Sequence, residues 1–365
     1  MSIAMNDNSG HPAHHDIIIR KEGRAGRITL NRPRALNALT YPQMGEINSA
    51  LTLWENDPEV HLVILDGTGE RAMCAGGDIL AMYESRTDGP AYANLFWHDE
   101  YHLNLRISKY PKPYVALMDG LVMGGGVGLA GHASHRIVTE RSGIAMPETT
   151  IGLVPDAGGS WLLASAPGHL GEYYGLLGER MASADALYAG FADTHIDAEK
   201  LPGLIAALTD PNGDAVSITI AEFAGSPTNP LHSGRQSEID AIFSASTVAE
   251  IRSRISASGL EWAEKAIKGL DQRSPLSLAL ALASIREARR LGSLANALDI
   301  EFRLTTRLFA HGEFLEGIRA LLIDKDRAPK WNPPTTAGVT TQMIADFMTP
   351  LPAGEELGLT VSERR

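Results

Sequence analysis

From Asp16 to about Ile196, short apolar runs rich in β-branched residues alternate with stretches whose apolar positions recur every three or four residues. DIIIRKEG and GRITLNRP read as two strands around a glycine turn, the pattern of a hairpin. A helix follows over Pro42 to about Asn56, with Met44, Ile47, Leu51 and Trp54 on one face. HLVILDGTG is a short apolar run closed by a turn, Leu103 to Lys109 ends another helix, and PYVALMDG and RIVTE are further buried strands. The runs are too continuously apolar to be half exposed, so a repeating strand-strand-helix order points to an α/β architecture. From about Asp197 the chain is almost wholly helical in pattern, with Ser274–Pro275 as an N-cap and first helical position. TVAE, Thr247 to Glu250, has the form of a capping box. Residues 209–237, rich in Pro, Gly, Ser and Asn, read as connection. The chain thus divides into a disordered terminus (1–15), a core (16–200), a helical region (201–348) and a flexible tail (349–365).

Charge narrows the function. With 32 Lys+Arg against 44 Asp+Glu, a net charge of −12 spread along the chain argues against general nucleic-acid binding, while leaving room for a local basic pocket. A single cysteine, Cys74, permits no intrachain disulfide and points to a reducing compartment. No apolar run is long enough to span a bilayer. The first sixteen residues lack the features of a secretory signal and the Arg-rich amphipathic character of a mitochondrial presequence, so the expected location is the cytoplasm. His98 and His102 stand four apart, but without a third ligand at recognisable spacing no metal is expected.

Glycine marks the candidate chemistry. GVGLAG, Gly126 to Gly131, fits a dinucleotide fingerprint and Glu148 imitates its ribose-binding acid. The fit fails in context, because DGLVM separates the strand from the glycines and Glu148 follows Met146–Pro147 in an irregular segment. Two other loops, CAGGDI (Cys74 to Ile79) and MGGGVGL (Met123 to Leu129), would let backbone N–H groups approach a ligand oxygen. One N–H from each could form an oxyanion hole; the alternative is that the glycines serve only tight turns or close helix packing.

The combination of LNRPRALNAL, CAGGDI, MGGGVGL and AMPETTIGLVPDAGGS, in that order over residues 28–160, closely resembles the enoyl-CoA hydratase/isomerase, or crotonase, superfamily. The resemblance implies a spiral of strand-strand-helix units that binds an acyl-CoA. It implies that the thioester oxygen is held by Gly77 and Gly125, with Gly76 and Asp78 beside it and Arg34, Ala35 and Leu36 along the CoA. Hydratases of the superfamily carry a catalytic Glu where this chain has Gly128. Their second Glu is matched by Glu148, and Asp156 stands where they commonly have Gly. The PET-to-PDAGG pairing, Glu100 in HDEYHLN, and EGIRALLIDKDRAPKW (Glu316 to Trp331) are similar to the branch that hydrolyses 3-hydroxyisobutyryl-CoA, a likeness spanning about residues 16–348.

That branch implies hydrolysis of a short branched 3-hydroxyacyl-CoA of valine breakdown. Glu148 would be nucleophile or base, Asp156 would orient the substrate hydroxyl or water, Glu100 would touch the acyl end, and Lys325 would meet a CoA phosphate. Each has a plainer reading: Asp156 as N-cap of the helix near residues 157–159, Glu148 as a surface carboxylate, Glu100 on a solvated face, Lys325 as an exposed helix end. Trp54, Trp161 and Met181 are expected in the core. CoA arrives as part of the substrate, no further cofactor is implied, and a homo-oligomer is possible. The competing readings are a hydratase or isomerase and a non-catalytic CoA-binding protein.

Overall fold

The computed structural model describes residues 15–227 and 230–362; residues 1–14, where a disordered terminus is expected, lie outside it. The hairpin forms as read: β1 (Ile17–Glu22) pairs antiparallel with β2 (Ala25–Leu30). After the helix Tyr41–Glu55, capped by Thr40 and Gln43, the strands come in pairs. They are β3 (Leu62–Gly67) and β4 (Ala72–Cys74), β5 (Tyr114–Met118) and β6 (Leu121–Met123), and β7 (His135–Val138) and β8 (Gly143–Ala145), ending in β9 (Thr194–His195). The first of each pair joins a six-stranded sheet, β1-β2-β3-β5-β7-β9, and the second joins a three-stranded parallel sheet, β4-β6-β8. Each pair is followed by helical chain, so the backbone winds through both sheets once per repeat.

This winding explains the uninterrupted apolar strands. Val63 and Leu65 of β3 and Ala116 and Met118 of β5 enter the main core, whereas Leu62, Ile64, Val115 and Leu117 enter a second cluster on the opposite face. Both faces are covered, so alternation with polar residues would bury unpaired polar groups. The cover on the second face includes Leu201–Thr209 and Val216–Phe223, and the latter corrects the reading of 209–237 as connection. Its Pro- and Gly-rich flanks mask a helix only eight residues long.

Beyond His195 the described chain is helical. Ser274 caps Pro275–Leu291 by accepting from Ser277 N, and Thr247 with Glu250 forms the capping box of Val248–Ser258. The helix Leu294–His311 packs across Ala91–Ser108, joining the helical region to the spiral through one continuous apolar core. The tail is not loose as expected: Leu357 and Leu359 are buried, Glu356 pairs with Arg303 at 2.8 Å, and Asp299 accepts from Leu359 N at 3.0 Å. Trp54 and Met181 are core residues, and Trp161 is partly buried against the core. No described helix is long and apolar enough to cross a membrane.

Candidate active site

β4 and β6 lie side by side, so the glycine loops that leave them emerge together. A Cβ placed on Gly125 would lie 3.3 Å from Gly77 N and only 2.3 Å from Glu100 Oε1. A side chain at 125 would therefore have to displace the Glu100 carboxyl and crowd the amide of the other loop. Neither the Gly77 nor the Gly125 amide donates to a backbone acceptor among the described residues. Both loops border a cavity of about 250 Å³ whose wall also includes Gly76, Glu100, Glu148 and Asp156. Its remaining lining is chiefly apolar, with Met82, Phe96, Trp97 and Phe314 among it.

The three carboxyl groups reach this cavity from separate elements. Glu100 projects from the buried face of Ala91–Ser108, Glu148 opens the 3-10 turn Glu148–Ile151 after Pro147, and Asp156 precedes the turn into Gly159–Ser165. Their exposures are 2%, 5% and 5%, which removes the surface readings of Glu148 and Glu100. Asp156 does not cap the helix that follows it; its carboxylate accepts from Tyr101 Oη at 2.8 Å. Glu100 Oε1 and Glu148 Oε2 are buried with no hydrogen-bond partner among the described residues, an arrangement suited to a polar ligand.

Burial, reinforced by mutual repulsion, raises the pKa of Glu100 and of Glu148 well above the carboxylate range. Burial lifts Asp156 to about 7 against the opposing Tyr101 hydrogen bond. A fourth buried carboxyl, Glu301, stands behind them, pushed by burial to about 8. Like charges this close cannot all ionise, so protons are shared among the group near neutral pH. Burial pushes the Cys74 thiol up to about 12, which leaves it inert as a nucleophile.

Other expected contacts fall outside the cavity wall. Asp78 is the N-cap of Ile79–Glu84 and pairs with Arg32 at 3.1 Å, so its carboxylate is spent on local structure. Arg34 and Ala35 are exposed on the 3-10 turn Pro33–Ala35, and Leu36 accepts from Ala75 N, which sets all three beside the Gly76–Gly77 loop. Lys325 is exposed in a left-handed turn. An open groove of about 770 Å³ shares Thr150 and Leu321 with the cavity, and its cations are Arg327 and Lys330, not Lys325. His98 is paired with Asp99 and His102 with the His98 carbonyl. Glu140, His195 and Asp197 bring donor atoms within 4.8 Å of one another away from the cavity, but Ala198 N, Ser183 and Lys200 already engage them.

Glu301 and Tyr101 were not singled out from the sequence. The signal for Glu301 is a carboxylate within the apolar stripe of Leu298, Leu304, Thr305 and Leu308, where an acid has to be paired.

Comparison with known proteins agrees with this geometry. Residues 25–348 match the enoyl-CoA hydratase/isomerase family. The mitochondrial 3-hydroxyisobutyryl-CoA hydrolase of Danio rerio is 41% identical over 91% of this chain and 89% of its own length. That of Homo sapiens is 38% identical over 90% and 87%. Among solved structures, an enoyl-CoA hydratase from Rhodobacter sphaeroides 2.4.1 superposes with a TM-score of 0.89 at 46% identity, covering 94% of this chain and 99% of that one. A carnitinyl-CoA dehydratase from Mycobacterium thermoresistibile gives 0.89 at 40% identity, covering 94% and 98%. The expectation of a cytoplasmic protein is corrected by the hydrolases, which are named as mitochondrial. Paired glycine loops on two adjacent parallel strands, a spiral of strand pairs and a match over most of the length lead to one assignment: the chain belongs to the enoyl-CoA hydratase/isomerase family.

Proposed function

We propose that this chain hydrolyses 3-hydroxyisobutyryl-CoA to 3-hydroxyisobutyrate and CoA, a step of valine breakdown. The observation that carries the reading is the pairing of Glu148 and Asp156 in one largely apolar cavity beside the Gly77 and Gly125 amides. The two amides hold the thioester oxygen and stabilise the negative charge that develops on it. Glu148 delivers the attack. As a base it takes a proton from water, whose oxygen bonds to the acyl carbon; as a nucleophile it forms an anhydride that water then opens. By either route the C–S bond breaks, the sulfur leaves as thiolate and is protonated, and water supplies the new carboxyl oxygen. Asp156, held by Tyr101, orients the substrate 3-hydroxyl or the water. Arg327 and Lys330 in the adjoining groove offer charge to the CoA phosphates.

A hydratase reading is favoured by the name of the Rhodobacter sphaeroides structure. The site argues against it. Hydration of a double bond needs a second acid-base group, which here could only be Asp156 beside Glu148, because at Gly128, where hydratases of the family carry it, even a Cβ would lie 2.8 Å from both Ala157 Cβ and Asn104 Nδ2. The position is filled from outside and cannot take a glutamate without displacing the Asp156 turn.

The test is a thiol-trapping assay with 3-hydroxyisobutyryl-CoA. Stoichiometric CoA release is the expected result. Folded protein with no release above background rejects the hydrolase, and loss of enoyl absorbance from a conjugated enoyl-CoA without free thiol selects the hydratase. Tight CoA binding with neither reaction selects a binding protein.

A further inference from the structure

The turn that carries Asp156 into the cavity has a backbone that its sequence does not favour. Ala157 has φ 53° and Gly158 φ 79°, and an alanine in the left-handed region is held there by its surroundings. Three contacts supply that restraint. Glu301 reaches in from Leu294–His311 and accepts from Gly158 N at 2.7 Å, from Ser160 N at 2.9 Å and from Ser160 Oγ. On the other side, His132 Nε2 donates to Ala157 O at 2.9 Å; burial lowers this histidine to about 4, so it is neutral and the carbonyl fixes its tautomer. Tyr101 holds the Asp156 carboxylate itself. The capping role expected of Asp156 is thus performed by a carboxylate 143 positions beyond Gly158, which frees Asp156 to face the cavity.

We infer that Glu301 is a positioning residue for the hydrolysis proposed above: by taking the amides of Gly158 and Ser160 it holds the 156–160 turn in the form that aims Asp156 at the substrate. The inference rests on that reading of Asp156. Glutamine at 301 keeps one acceptor but turns an NH₂ group toward a backbone donor, so it cannot serve both amides. Glu301 also adds to the repulsion that raises Glu148. The titratable groups facing Asp156 and Glu301 are Glu100 and Tyr101 from Ala91–Ser108, Glu148 from its 3-10 turn and His132 behind the turn.

The experiment uses the full chain, with kcat and KM for 3-hydroxyisobutyryl-CoA measured by thiol release from pH 5 to pH 9 and a crystal structure of Glu301→Gln. In Glu301→Gln, kcat should fall between about tenfold and a hundredfold, as for a misplaced reacting group, with KM within about twofold. The acid limb of the pH profile should move to lower pH, because Glu301 is one of the carboxylates whose repulsion raises Glu148. The crystal structure should show the 156–160 turn altered and the Tyr101–Asp156 bond lost. Asp299→Asn, which loosens the same helix from Leu359 and Thr360 instead, should change neither kcat nor the limb. Should Glu301→Gln fail to fold, Ser160→Ala removes one donor and should still lower kcat severalfold. Wild-type kcat with an unchanged turn overturns the inference, as does an equal loss in Asp299→Asn. Wild-type protein without thiol release rejects the hydrolase, while the variant's structure still decides whether Glu301 holds the turn.

Discussion

Glu100, Glu148 and Asp156 line one cavity with Glu301 behind them, and the burial and crowding of these four carboxyl groups raise their pKa values. A carboxylate raised toward neutral pH is a competent base, and its partner can remain protonated to donate a hydrogen bond. Glu148→Gln and Asp156→Asn should each lower the rate of thiol release by about a hundredfold or more, in line with acid-base contributions. Equal rates in either variant remove that residue from the reaction. The same crowding sets a pH dependence of stability. Above about 4.5, the value of an unfolded glutamate, the native state still holds a proton on Glu148 that the unfolded chain has released. The contribution of Glu148 to stability is therefore greatest below that pH and declines as pH rises toward the folded value. Glu148→Gln lacks this proton, so its melting temperature relative to wild type should be higher at pH 8 than at pH 5. A difference independent of pH contradicts the assignment of a raised pKa. Asp156 and Glu301 still titrate in that variant, so the slope is reduced rather than abolished.

At the scale of elements, caps and turns hold the pieces in place without touching substrate. Thr247 accepts from Glu250 N and Glu250 returns a bond to Thr247 N, closing the start of Val248–Ser258. Thr247→Ala should cost about 1 kcal/mol in denaturant unfolding and leave thiol release per folded molecule unchanged, since the cap is not part of the cavity wall. Such features are legible in sequence because donor and acceptor lie three residues apart. The strands were legible for a similar reason: β3 and β5 are buried on both faces, and each shows as one apolar run. The helix Val216–Phe223 was not, because it takes its stability from the sheet face it covers and its flanks carry turn residues. In the site, Gly77, Gly125, Glu148 and Asp156 were expected from the resemblance of short motifs to the superfamily, and the structure brings all four to one cavity wall. Glu301 could not be assigned to Asp156, since the contact between their elements is a property of the packed molecule. Asp78 illustrates the converse: its place in the CAGGDI motif identifies the loop, but the carboxylate is turned to Arg32 and to the helix it caps.

For the whole molecule, the helical region and the spiral form one unit around the cavity. Phe314 and Leu321 close the cavity wall from the C-terminal side, and Glu301 supports it from behind. The last described segment is fastened to this support, with Leu357 and Leu359 buried and Asp299 accepting from Leu359 N and Thr360 N. Deleting residues 352–365 exposes these leucines, removes the Glu356–Arg303 pair and leaves Asp299 without its donors. Unfolding free energy should drop by about 3 kcal/mol or more, at roughly 1.5–3 kcal/mol for each buried leucine. A truncated chain as stable as the parent contradicts the packed tail. Overall charge bears on substrate capture differently. A net −12 repels a phosphorylated ligand at long range, so the proposed attraction by Arg327 and Lys330 of the groove would be local. Lys330→Ala should raise KM for the CoA substrate several-fold, whereas Lys325→Ala should leave it unchanged.

The most direct measurement is a crystal structure with a substrate analogue in which the thioester sulfur is replaced by methylene, so that the carbonyl is kept and cleavage is blocked. The account predicts the carbonyl oxygen about 3 Å from the amide nitrogens of both Gly77 and Gly125, with its carbon turned toward the Glu148 carboxyl. A carbonyl pointing away from those amides, or an acyl group seated out of reach of Glu148, contradicts it.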